Sequence, residues 1–121
     1  MSEGVPTVAA CQLPVDDLDL ADNRDRVVAT IRDLPPNVDL AVFPEQTLTG
    51  FVPDDRIYDA AVARDADAVQ AVHDAAAADG LGVVVGFVED ATDGYYNATA
   101  YLDPSVERTV YRKRHLWAGE R

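Results

Sequence analysis

Cysteine and lysine each occur once in these 121 residues, as Cys11 and Lys113. A lone cysteine excludes an intrachain disulfide and a cysteine-rich zinc site. The two histidines, His73 and His115, are too few and too separated to form a metal cluster. No apolar run approaches the roughly 20 residues that a membrane helix needs. The start, Met1-Ser2-Glu3-Gly4-Val5-Pro6, has neither a basic segment nor an apolar signal core. Gly80-Leu81-Gly82 lacks the third glycine and the preceding strand of a dinucleotide loop. These absences predict a cytoplasmic protein with no membrane partner and no metal or organic cofactor.

Positive charge is also scarce. Ten basic residues face 22 acidic ones, for a net charge of −12, and the acids are spread along the chain. Such a surface repels phosphates, so nucleic acid is excluded as a partner. It fits a solvated, salt-tolerant surface of the kind found in an acidic proteome, since salt screens the self-repulsion.

What is present reads as α/β. Residues 7–13 (TVAACQL) and 38–43 (VDLAVF) are short apolar runs, each closed by proline, and predict buried strands. Between them Val27, Val28, Ile31 and Leu34 recur at helical spacing after a cap at Asp22 or Asn23, and Pro35-Pro36 ends that helix. The segment that follows, containing Gly50 and Pro53, reads as loop. An alanine-rich helix over residues 65–79 should bury Ala68, Val69, Val72 and Ala76 and stop at Gly80, leaving His73 at its surface or flank. Residues 83–88 (VVVGFV) and 97–102 (NATAYL) are further strands, with a turn at Asp93-Gly94. Asp103-Pro104-Ser105 then turns the chain into Thr109-Val110-Tyr111 as an antiparallel hairpin. The order is β-α-β-α-β plus a β-hairpin, and it predicts helices packed on a sheet. Residues 116–121 supply neither a closing helix nor a strand, which predicts a fragment.

Two polar positions stand out. Glutamate is rare, occurring at Glu3, Glu45, Glu89, Glu107 and Glu120. Glu45 directly follows the second strand, at the carboxyl end where α/β proteins place ligands. Half-burial beside Val42 and Phe43 would suit a general base; the plain alternative is a solvated acid on a loop. Lys113, in Tyr111-Arg112-Lys113-Arg114-His115-Leu116, is either part of a solvated basic patch or a site that needs a compact ammonium. Cys11, within an apolar strand, reads as an inert core residue. Asn97 is expected to fix the hairpin through side-chain bonds to backbone.

Taken together, FPEQTLTG (residues 43–50) and YRKRHL (residues 111–116) resemble the first two signatures of the nitrilase superfamily of carbon–nitrogen hydrolases. VAACQL resembles the family's first strand, and LGVVVGFVED with YYNATAYLDPSVERTVYRK its later strands and hairpin. The resemblance implies that residues 1–121 are the N-terminal portion of a single α-β-β-α sandwich domain whose C-terminal part is absent. It implies a Glu-Lys-Cys site acting on a non-peptide amide, carbamoyl or nitrile bond, amidase-like before nitrilase-like. Glu45 would be the general base, Lys113 the oxyanion donor, and Glu120 a second glutamate orienting Lys113 or a substrate amine. The nucleophilic cysteine would lie beyond this chain, His115 would be structural, and a homo-oligomer would be expected of the completed enzyme. The isolated chain would then be inactive. The other readings are a non-enzymatic interaction module and an independent esterase using Cys11.

Overall fold

The computed structural model describes residues 5–52, 54–105 and 107–113. Its elements are β1 (Val8–Ala10), α1 (Leu20–Asp33), β2 (Leu40–Val42), a 3₁₀ turn (Asp55–Ala60), α2 (Asp67–Asp79), β3 (Gly82–Ala91), β4 (Gly94–Leu102) and β5 (Arg108–Arg112). The strands form one five-stranded sheet in the order β1-β2-β3-β4-β5. β1, β2 and β3 are parallel, whereas β3-β4 and β4-β5 are antiparallel hairpins. Among the described residues no helix is long and apolar enough to cross a membrane.

Strand alternation divides the sheet into two unlike faces. On one face Val83, Val85 and Phe87 of β3 and Ala98, Ala100 and Leu102 of β4 pack with Val27 and Ile31 of α1 and Val69, Val72 and Ala76 of α2. On the other face the register aligns Gly86 with Thr99 and Val88 with Asn97, and places Thr99 beside Tyr111. The buried faces of α1 and α2 pack on the first face and not on this one, where Tyr58 of the 3₁₀ turn stacks on Tyr95 with ring centroids 4.3 Å apart. Val8 and Tyr111 on it are 54% and 57% exposed.

The predicted order of elements is observed, with shifted ends. The first two strands shrink to three residues each, although Cys11 N–H still donates to Val42 O and Phe43 N–H to Val84 O. The alanine-rich helix buries Ala68, Val69, Val72 and Ala76 as expected, and Gly80 closes it with φ +67°, a conformation glycine adopts without Cβ strain. The segment read as loop contains the 3₁₀ turn, started by Asp54 accepting from Arg56 N–H.

The cap of α1 is a correction. Asp19, not Asp22 or Asn23, caps it and accepts from Asp22 N–H at 3.1 Å. Asn23 is needed elsewhere. It lies 1% exposed one turn in, accepts from Asp16 N–H, and donates to Asp16 O and Leu48 O at 2.7 and 3.1 Å. One amide therefore ties the loop before α1 to the segment after β2. Asn23→Ala leaves those groups without their partner and is expected to cost about 2 kcal/mol, read from the urea midpoint. A midpoint unchanged from wild type would remove that role.

His73 is a second correction. It is 6% exposed, not a surface residue, with Nε2 2.8 Å from Asp103 O and Nδ1 3.0 Å from Arg108 Nη2. Arginine has only donors, so Nδ1 accepts and the ring proton sits on Nε2, donating to Asp103 O. Helical spacing alone could not reveal this, because the partners come from the β4-β5 hairpin.

Candidate active site

Pro44 ends β2 and turns the chain up from the sheet, and Glu45 stands at the top of that turn. The turn is tightly held. Thr47 Oγ1 donates to Pro44 O at 2.5 Å, Gly50 N–H to Gln46 O at 2.8 Å and Leu48 N–H to Gly86 O at 3.1 Å. Gln46 takes a positive φ of 56° to permit it. Thr47, Leu48 and Thr49 are buried beneath. Gly50, at φ +70°, lies against residues 16–17; a Cβ there would meet Asp17 Cα at 2.6 Å. The strand-plus-turn thus presents Glu45 on a rigid base, at the strand end where the sequence placed it.

Lys113 arrives from β5, three strands away at the edge of the sheet. It follows β5 directly, and its N–H donates to Asn97 O at 2.9 Å. Its Nζ lies 3.8 Å from Glu45 Oε1, and Asn97 Nδ2 lies 3.5 Å from Glu45 Oε2. The fold therefore brings together two of the three expected site residues and adds a third group, Asn97. Its carbonyl holds Lys113 and its amide faces Glu45.

The expected half-burial of Glu45 is not found. Its side chain is 63% exposed and that of Lys113 is 31% exposed, because the turn lifts Glu45 away from Phe43, which points into the core. A long ion pair with that much water around the carboxylate contributes only about 0–1 kcal/mol to folding. The pair is poorly explained as a stability device. Glu120 and His115 lie outside the described residues.

Beside Lys113 is a cluster that sequence reasoning overlooked. Glu89 of β3 is 2% exposed and accepts from Arg64 at 2.6 and 3.2 Å and from Arg112 at 2.9 Å. Burial pushes its carboxyl up, but the hydrogen bonds and charges of Arg64 and Arg112 outweigh that and hold it below the usual carboxylate range. Arg112 also lies 3.9 Å over the Tyr96 ring. A signal existed in the sequence. Glu89 continues the inward-facing series Val83, Val85, Phe87, where an acid must find a partner.

Cys11 sits in the core cluster, and burial pushes its thiol up against a smaller opposing effect of the backbone at Val42. That environment disfavours the thiolate a nucleophile needs. The acidic loop brings carboxylate oxygens of Asp16, Asp19 and Asp22 together, but Arg26 already pairs with Asp16 and Asp22 at 3.1 and 3.0 Å.

Comparison with known proteins identifies the family of the chain. The carbon-nitrogen hydrolase family model matches residues 7–121. The chain is 34% identical over 110 residues to an (R)-stereoselective amidase of a Pseudomonas species, covering 91% of this chain and 40% of that one. It is 35% identical over 101 residues to a glutamine-dependent NAD(+) synthetase of Xylella fastidiosa, covering 80% of this chain and 18% of that one. Among solved structures, XC1258 of Xanthomonas campestris, a CN-hydrolase superfamily protein with an arsenic adduct in its active site, matches with a TM-score of 0.83. The two share 26% identity over 91% of this chain and 41% of that one. Saccharomyces cerevisiae Nit3, of the nitrilase superfamily, shares the fold with a TM-score of 0.77 at 22% identity, over 95% of this chain and 46% of its own. The chain thus spans less than half the length of each of these relatives, and it belongs to the carbon–nitrogen hydrolase family.

Proposed function

We propose that residues 1–121 are the N-terminal portion of one amidase-like domain and supply the base and the oxyanion donor for hydrolysis of a non-peptide carbon–nitrogen bond. The observation that carries this reading is the convergence of Glu45 and Lys113 on the sheet face opposite α1 and α2, in a chain of this family. The name of the (R)-stereoselective amidase supports an amide substrate over a nitrile.

The chemistry follows from the groups. Glu45 takes the proton of a cysteine thiol supplied by polypeptide beyond Arg121, and the thiolate attacks the amide carbonyl carbon. The Lys113 side chain donates to the oxygen as it becomes an oxyanion. As the C–N bond breaks, Glu45 returns the proton to the departing amine, leaving a thioester. Glu45 then accepts a proton from water and the hydroxide attacks the thioester; as the intermediate collapses, Glu45 gives that proton to the departing thiolate, so the carboxylic acid leaves and the thiol is restored. Glu120 would orient Lys113 or the leaving amine. The face opposite α1 and α2, where Val8 and Tyr111 stand exposed, is where the rest of the domain would pack, covering Glu45 and strengthening these electrostatic terms by excluding water.

An interaction module without chemistry is the second reading, favoured by that same uncovered face. One experiment separates them. The protein read through beyond Arg121 is offered primary amides, N-carbamoyl compounds and nitriles; ammonia release is followed, and acylated cysteine is mapped by mass spectrometry. Turnover with the acyl group on a cysteine other than Cys11 supports the enzyme. Absence of turnover across the panel supports the module.

The 121-residue chain alone is expected to hydrolyse neither amides, followed by ammonia release, nor a p-nitrophenyl ester, followed by nitrophenolate release, with or without Cys11→Ala. Turnover that disappears on Cys11→Ala would reinstate the esterase reading.

A further inference from the structure

Glu45 rests on a place where one side chain is missing. Gly86 lies on β3 directly beneath the turn, on the same sheet face as Thr99 and one register step from Asn97. A Cβ on Gly86 would lie 2.5 Å from Gln46 N, 2.8 Å from Glu45 Cα and 2.8 Å from Pro44 O. All three are backbone atoms of the segment that carries the carboxylate, so no side-chain rotation relieves the overlap. The turn is also pinned on either side of that contact. Phe43 N–H donates to Val84 O at 2.8 Å, Leu48 N–H to Gly86 O at 3.1 Å, and Asn23 Nδ2 to Leu48 O at 3.1 Å.

We propose that Gly86 is a positioning residue: its missing Cβ sets the height of Glu45 above the sheet and hence its distance from Lys113 and from the reacting carbonyl. The proposal rests on the general-base reading of Glu45. It adds that β3, a strand carrying none of the reacting groups, fixes the base through direct backbone contact. The strand contains its own control. Gly82 shares the strand and the face, and a Cβ there would meet Tyr101 Cε1 at 3.0 Å, Tyr101 Oη at 3.1 Å and Leu40 Cδ1 at 3.2 Å. Those are the ends of side chains, which can yield.

The test compares Gly86→Ala and Gly82→Ala in the complete enzyme, reading kcat and KM separately. A shift of about 1 Å in a reacting group costs about 100-fold in rate, so Gly86→Ala should lower kcat by about that factor while KM changes far less. Gly82→Ala should stay within about three-fold of wild type, as for substitutions away from special features. Equal losses in the two variants, or a wild-type kcat in Gly86→Ala, would overturn the proposal. If Gly86→Ala alone does not fold, Gly86→Ala/Gln46→Gly relaxes the positive-φ residue and lets the turn rise. That protein should fold yet keep the kcat defect, and recovery of wild-type kcat would overturn the proposal.

A readout independent of turnover separates this from failure of the base reading. The Asn97 side-chain amide signals in the NMR spectrum should follow titration of Glu45 in wild type and in Gly82→Ala, and lose that response in Gly86→Ala. Loss of the response together with normal turnover by Glu45→Gln would reject the base and keep the seat. A retained response would reject the seat.

Discussion

In the complete enzyme, Glu45→Gln and Lys113→Ala should each lower kcat by at least about 10²-fold, and by up to about 10⁴-fold for the base, without unfolding the protein. Glutamine keeps the size of Glu45 and both polar ends, but it cannot take a proton from a thiol or from water. Removing Lys113 leaves the developing oxyanion without its ammonium, and one such donor is worth about 2.7–4 kcal/mol at the transition state. The folded state loses little by comparison. The two groups are 3.8 Å apart and Glu45 is 63% exposed, so the pair contributes only about 0–1 kcal/mol. The melting temperature should therefore fall by no more than about 4 °C. Because both residues serve the same transition state, the double variant should be far less impaired than the product of the single losses. Normal turnover by either single variant refutes the assignment. So does a loss of activity that merely follows a loss of fold.

The largest effect on stability is expected at Glu89. Glu89→Ala should destabilise the fold by about 2–4 kcal/mol, below the upper range for a broken buried pair because both arginines keep contact with water. The side chains of Arg64 and Arg112 are 45% and 35% exposed, against 3% for Glu89. Without the carboxylate the two guanidinium groups face each other, and the end of β5 loses the clamp that precedes Lys113. The sign of the pH dependence follows from the shift. Arg64 and Arg112 hold the folded-state carboxyl of Glu89 below its usual value. Its contribution is therefore complete above the unfolded value of about 4.3 and is lost as pH falls through the lower, folded value. Urea midpoints measured from about pH 6 down to pH 3 should decline in wild type and decline less steeply in Glu89→Ala. A slope remains in the variant, because hydrogen bonds from Arg56 hold Asp54 at about 2 and bonds from Ser105 lower Asp103. Identical slopes in the two proteins would show that the Glu89 cluster does not govern acid sensitivity.

Much of the fold is legible in the chain because it is written in local periodicity. Val27 and Ile31 on one helix, and Ala68, Val69, Val72 and Ala76 on the other, mark their buried faces through spacing alone. Gly80 and Asp93-Gly94 mark where the chain must turn. Glu45 and Lys113 were legible as candidates from their rarity and from the motifs around them, but nothing local states that their side chains meet.

What the sequence determined by itself is the order of strands and helices, the identity of the core and the family. Each rests on neighbours in the chain or on short ordered motifs. Only the tertiary structure decided that Glu45 stands exposed on its turn and not half-buried. It also decided that Asn23 is a cross-link and not a cap, and that His73 joins α2 to a hairpin. Asn97 faces Glu45, and Gly86 leaves room for the turn, for the same reason. Each of these depends on register between strands and on loop backbone passing over a sheet. Those contacts join residues far apart in the chain, and the spacing of residue types along one segment carries no record of them.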